Sequence, residues 1–141
     1  MPSVFTMIIN GDLPGEFVWR DDRCVAFLSI NPITPGHTLV VPREEVDHWI
    51  DLDEDLAAHL MAVAHRIGAV QQDVFAPERI GLIVAGFEVP HTHLHVLPIT
   101  GMGDLDFRNA ADVPADELAA TADRLRTGLT TAGHAEATAT A

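Results

Sequence analysis

The chain has 141 residues, 48% hydrophobic and 21% charged, which suits a single domain with a core of its own and excludes disordered and fibrous classes. Eight Lys and Arg against 21 Asp and Glu give a formal charge of −13, a field that repels polynucleotides, so no nucleic-acid partner is expected. A free nucleotide stays compatible with that charge, because backbone N–H groups and imidazoles can hold one phosphate locally.

Met1-Pro2-Ser3 carries no basic leader, and no apolar window is long enough to span a bilayer; no membrane partner and a cytoplasmic location are expected. Val4 to Ile9 reads as one or two helical turns, stopped by Asn10-Gly11-Asp12 and Pro14-Gly15. Glu16–Arg20 and Cys24–Ile30 are β-rich runs around the polar turn Asp21-Asp22-Arg23, hence a hairpin. Cys24 is the only cysteine, so no intrachain disulfide forms, and its apolar surroundings suggest a small core side chain. Phe17 and Trp19 read as core.

Two prolines and a glycine in Asn31–Gly36 interrupt the ladder, and a third strand, His37–Pro42, follows with His37 emerging from the turn. From Leu52 to Val74, Leu56, Leu60, Val63, Ile67 and Val70 recur every three or four residues, which predicts one long amphipathic helix. The acids from Asp51 to Asp55 suit its N-terminal end. His59 and His65 lie six apart on different helix faces, which argues against a shared metal. Ile80–Gly86 reads as a buried strand and His91–Pro98 as the next. The link Phe87–Pro90 is too short for a crossover helix, so the two strands should be antiparallel. Pro114–Leu129 restores helical spacing, and Thr130–Ala141, small and polar, is expected to fray.

On a strand, His91, His93 and His95 project to one face while Thr92, Leu94 and Val96 project to the other. Imidazoles where a strand normally carries Val, Ile or Leu need hydrogen-bond partners or ligands. Two readings are open: a set of metal ligands, or a phosphate site in which one imidazole attacks phosphorus. Only Glu88, and later Asp104 and Asp106, could add carboxylate ligands nearby, so metal is the weaker reading.

The run His91-Thr92-His93-Leu94-His95-Val96-Leu97 resembles the signature of the histidine triad (HIT) family, His-x-His-x-His followed by two apolar residues. Gly86 and Val89 resemble its approach loop, and Pro35-Gly36-His37-Thr38-Leu39-Val40-Val41-Pro42 its other hallmark; the likeness covers roughly residues 3 to 100. The resemblance implies an α+β fold with a five-stranded, mostly antiparallel sheet, one long helix and a C-terminal helix, paired as a homodimer. Residues 1–110 would form the histidine triad domain, 111–130 its C-terminal helix and 131–141 a disordered tail.

It also implies a nucleotide hydrolase or transferase that cleaves a nucleoside monophosphoryl group from a phosphoramidate, phosphoanhydride or phosphosulfate bond. His93 would be the nucleophile and form a covalent nucleotidyl-histidine. His95 and His37 would contact phosphate oxygens, and the His91 carbonyl would orient the His93 ring. Phe27 and Ile30 would line a base pocket, and Ser29, Gly86, Phe87 and Glu88 would complete the nucleotide site. No cofactor and no catalytic metal are implied.

The chain departs from the family at several of these points. Ser3 and Thr6 replace the paired cysteines that grip a structural zinc in many members, and Glu45 replaces a histidine, with His48 three residues away, so no structural zinc is expected. Ser29 stands where an acid usually holds the ribose, Phe87 where a glutamine is frequent, and Glu88 where the phosphoramidase branch has a serine. An ionised Glu88 beside a phosphate would repel it, so the site survives only with that carboxyl protonated or turned outward. These changes make a nucleotide-binding regulator the main rival. A metal-dependent hydrolase using His91, His93 and His95 is the third reading.

Overall fold

The polar turns and β-branched runs of the chain produce five strands and three α-helices in the computed structural model, which describes residues 1–141. In chain order they are α1 (Val4–Ile9), β1 (Phe17–Arg20), β2 (Cys24–Leu28), β3 (Thr38–Pro42), α2 (Glu54–Phe75), β4 (Arg79–Ile83), β5 (Leu94–Ile99) and α3 (Ala115–Thr131). The sheet runs β1-β2-β3-β5-β4 with every neighbouring pair antiparallel. The hairpin forms because the Asp21 carboxylate accepts the backbone N–H groups of Arg23 and Cys24 at 2.8 and 2.9 Å, closing the turn.

One face of the sheet buries Val18, Ala26, Val40 and Val96 against Leu60, Val63 and Ile67 of α2 and Leu125 and Leu129 of α3, so the C-terminal helix shares this core. Cys24 and Trp19 are fully buried there. The opposite face carries Phe17, Val25, Phe27, Leu39 and Val41, covered by Phe5 of the short helix α1. At its edge sits the histidine cluster.

Gln71 of α2 is fully buried and its amide donates to the carbonyls of Gly36 and Val96 at 2.9 and 3.0 Å, tying the turn before His37 to β5. Gly36 has φ +95°, and a Cβ there would lie 2.6 Å from the Phe75 ring, so only glycine fits. The register Leu39↔His95 between β3 and β5 then brings His37 and His95, 58 residues apart in the sequence, together.

The structure differs from the periodicity in three places. β4 ends at Ile83 and is half exposed rather than buried, because it is the outermost strand and lacks a neighbour on its far side. β5 begins at Leu94. The backbone before it leaves the ladder, and the Thr92 N–H donates instead to the Val46 carbonyl at 2.7 Å. Residues 131–141 do not simply fray: the Glu136 carbonyl accepts the Arg20 N–H at 3.0 Å, the Thr138 N–H donates to the Val18 carbonyl at 3.3 Å, and Ala137 pairs with Trp19. The tail thereby satisfies the open edge of β1, which a polar composition does not announce. No helix is long and apolar enough to cross a membrane.

Candidate active site

His37 leaves the Gly36 turn with 2% of its surface exposed, and its Nδ1 accepts the Ile33 backbone N–H at 3.1 Å. The proton of the neutral ring must therefore sit on Nε2, which donates to His95 Nδ1 at 2.9 Å. That acceptor role leaves the His95 proton on its own Nε2. The relay from the Ile33 backbone thus fixes both tautomers and aims one N–H into a cavity. Burial holds His37 neutral, with its pKa lowered to about 3, and the neighbouring histidines push the same way. Burial, then the nearby His93, also lowers that of His95.

His91 is fully buried, and it faces away from the cavity. Its Nε2 donates to the Pro42 carbonyl at 2.7 Å, and its Nδ1 receives the Ser3 hydroxyl at 2.6 Å. Its carbonyl oxygen accepts the His93 Nδ1–H at 2.7 Å, which turns His93 Nε2 toward the same cavity as His95 Nε2. Phe5 packs edge-on against the His93 ring at 4.8 Å and Phe107 against that of His95 at 4.9 Å.

The three alternating imidazoles therefore do not share one focus, as strict strand alternation predicted. His91 has both nitrogens engaged elsewhere and cannot join His93 and His95 around a metal. The relay also places a proton, not a lone pair, on His95 Nε2, which suits an acceptor such as a phosphoryl oxygen and not a cation. His37 reaches the cavity wall, but its Nε2 is taken by His95, so it acts through His95 rather than on a ligand directly.

Ser3, Thr6 and Glu45 converge beneath His91. Glu45 Oε1 accepts the Ser3 N–H at 2.6 Å and the Thr6 hydroxyl at 2.7 Å, and these bonds hold its carboxyl down to about 2. Two hydroxyls already committed to hydrogen bonds, a single carboxylate and an imidazole with no free nitrogen do not fit a structural zinc, which takes thiolates and neutral imidazoles.

The cavity measures about 450 Å³ and opens over His93 and His95 between Phe27, Leu39 and Phe107. Of the expected nucleotide-binding residues, Phe27, Ser29, Ile30 and Glu88 line it; Gly86 and Phe87 do not. Phe87 is 98% exposed on the loop where Gly86 turns with φ +93°, and side-chain direction in an irregular loop cannot be read from spacing. Glu88 is neither outward nor neutralised. Its Oε1 lies 2.5 Å from His93 Nε2 and 3.1 Å from His95 Nε2. Burial pushes this carboxyl up, but hydrogen bonds from His93, its own backbone and His95 outweigh that and hold it below the usual range.

Sequence reasoning missed Phe5, Leu39, Phe107 and the Ile33 N–H. Phe107 gave no signal, being one aromatic in the polar run Asp106-Phe107-Arg108-Asn109 beyond a glycine-rich turn. Ser3 was legible only as a missing cysteine, although a serine three residues ahead of Thr6 is also a helix N-cap, and its Oγ accepts the Thr6 N–H at 3.0 Å.

Residues 10–102 match the family model of the HIT domain. The chain belongs to the HIT family. The HIT protein of Bacillus subtilis is 35% identical over 108 residues, covering 72% of this chain and 73% of the relative. An uncharacterized HIT-like protein of Methanocaldococcus jannaschii is 34% identical over 121 residues, 82% of this chain and 94% of that one. Among solved structures, a hypothetical histidine triad nucleotide-binding protein of Sulfolobus tokodaii superposes with a TM-score of 0.80 at 25% identity, over 90% of this chain and 91% of that one. A zinc-bound histidine triad family protein of Mycobacterium smegmatis gives 0.79 at 27% identity, over 92% and 94%. The α+β fold with its five-stranded antiparallel sheet is thus the HIT fold.

Proposed function

We propose that this HIT protein is a nucleotide hydrolase or transferase that works through a nucleotidyl-histidine on His93. The observation that carries the reading is the orientation of that ring: Nδ1–H is held by the His91 carbonyl, so Nε2 faces the cavity as the only nitrogen that can attack. The Nε2 lone pair bonds to the phosphorus of a nucleoside monophosphoryl group, and the bond from phosphorus to the leaving group breaks, the leaving group keeping the bonding pair and taking a proton from solvent. Water then bonds to the same phosphorus, loses its proton to solvent, and the P–N bond breaks to free the nucleoside monophosphate and restore His93. His95 Nε2–H donates to a phosphoryl oxygen throughout, positioned by His37. Phe27, Leu39 and Ile30 offer apolar walls to the base, and Ser29 a hydroxyl to the ribose.

No metal and no cofactor enter these steps, and the activity is expected to be cytoplasmic. The open edge of β4, with Leu82 40% exposed beside Met61 of α2 at 51%, is where a second copy would extend the sheet into a homodimer. One observation favours a second reading, a nucleotide-binding regulator with little turnover: the Glu88 carboxylate already engages the attacking nitrogen.

The test is incubation with adenosine and guanosine phosphoramidates and dinucleoside polyphosphates, with intact-mass detection of a nucleotidylated histidine. Turnover that persists in EDTA and disappears in His93→Ala is expected. Turnover unchanged in His93→Ala would defeat the mechanism, and nucleotide binding without turnover on any substrate would favour the regulator.

A further inference from the structure

Glu88 holds the protein's own negative charge where the mechanism above needs that of the substrate. Its Oε1 touches the two nitrogens that face the cavity, His93 Nε2 at 2.5 Å and His95 Nε2 at 3.1 Å, both on rings at least nine-tenths buried. The relay from Ile33 makes His95 Nε2 a donor to any acceptor placed there, and a carboxylate oxygen is such an acceptor. On the His93 side a proton must lie between Nε2 and the carboxylate, since Nδ1 already carries one toward the His91 carbonyl. While that contact stands, the His93 lone pair is not free.

The carboxylate is also free to leave. It is 43% exposed, nothing but the two histidines and its own backbone N–H binds its side chain, and it sits on the irregular loop between β4 and β5, where Gly86 takes φ +93° and Phe87 points into solvent. Glu45 stands 4.0 Å from His91 Nδ1 instead, where the Ser3 N–H and the Thr6 hydroxyl bind it fast, and it does not line the cavity.

We infer that Glu88 is a specificity-determining residue, a built-in competitor for the phosphoryl position that selects ligands by charge. This rests on the nucleotide reading of the site. A phosphoryl group has to displace the carboxylate from His93 and His95 and then share the cavity mouth with it, so each added negative charge near phosphorus weakens binding. An uncharged nucleoside feels no such competition. A nucleoside phosphoramidate or other mono-substituted phosphoryl group carries one charge on phosphorus, while the monophosphate product carries close to two. The carboxylate therefore disfavours the product more than the substrate, which limits product inhibition, and it disfavours polyphosphate substrates most. The acidic surface of the whole chain, at −13, acts in the same direction over longer range.

The experiment is titration calorimetry of the full chain and of Glu88→Gln and Glu88→Ser with adenosine, guanosine and their 5′-mono- and triphosphates, with thermal melts to establish that each variant folds. Removing one charge at this distance should tighten monophosphate binding by about tenfold and triphosphate binding by more, and leave nucleoside binding unchanged. Both variants should gain alike, since the effect is charge rather than size. Nucleoside binding intact with monophosphate affinity unchanged or weakened in Glu88→Gln overturns the inference and leaves the nucleotide reading standing. Failure of all three proteins to bind any nucleoside or nucleotide overturns both.

Discussion

Two carboxylates stand beside the histidine cluster, and they do opposite things. Glu45 lies under α1, fastened by the Ser3 N–H and the Thr6 hydroxyl, and with them it forms a closed hydrogen-bonded platform for His91. Glu88 lies across the mouth of the cavity, and no residue but His93 and His95 holds its carboxylate. The first is satisfied by groups that cannot leave, so it builds structure. The second is satisfied by the groups a ligand would use, so it competes with the ligand. What separates an architectural acid from a functional one is which donors it consumes, not its proximity to a histidine.

The largest effect is expected at His93, which Glu88 engages and the His91 carbonyl orients. His93→Ala should reduce turnover at least about a thousandfold and abolish the nucleotidylated species by mass, because no other cavity nitrogen offers a lone pair. His91→Ala keeps the carbonyl that orients His93 and should cost less in kcat than His93→Ala.

Next in size is the platform. Ser3→Ala leaves His91 Nδ1 buried without its donor and uncaps α1, and should lower stability by about 1–3 kcal/mol in urea unfolding. Its kcat should fall more than its KM rises, and Ser3→Thr should restore most of both. Ser3→Ala with wild-type stability and kcat would mean that the platform does not support His91.

The third effect concerns acid. The pKa of His37 falls from 6.5 in the unfolded chain to about 3 in the fold, so the unfolded state binds a proton that the folded state refuses. That contribution to stability is fully present above pH 6.5 and is lost progressively as pH falls from there toward 3. Melting temperature followed over this window should drop in the wild type and drop less steeply in His37→Gln, once each is normalised to its value at pH 8.

The smallest effects contrast the two acids directly. Glu45→Gln should lower the melting temperature measurably, whereas Glu88→Gln, a half-exposed pair, should change stability by less than about 1 kcal/mol. Metal analysis of protein purified without added metal should find no stoichiometric zinc, and a zinc-loaded preparation would mean that Ser3, Thr6 and Glu45 bind metal rather than form a platform.

Much of this was legible in the residues. The hairpin around Asp21, the long helix, the interrupted Asn31–Gly36 segment and the antiparallel pairing of the last two strands all follow from local rules whose signal lies within a few residues. The histidine signature likewise pointed to His93 and to the approach loop. The roles inside the loop were not legible: Phe87 faces solvent and Glu88 faces the histidines, because an irregular segment has no period from which side-chain direction follows. Nor was the tail, whose small polar residues gave no hint that β1 had an edge to be paired.

Periodicity and turn chemistry, which act over short range, were enough for the five strands and for a histidine cluster that needs partners, and the histidine signature supplied the α+β class through its resemblance to the family. Which nitrogen carries each proton follows from packing. His37 and His95 stand 58 residues apart, Ser3 and His91 88 apart, and the Ile33 N–H that sets the relay has no side-chain signature at all. Tautomers depend on what lies within about 3 Å, and that is decided by packing, not by neighbours in the chain.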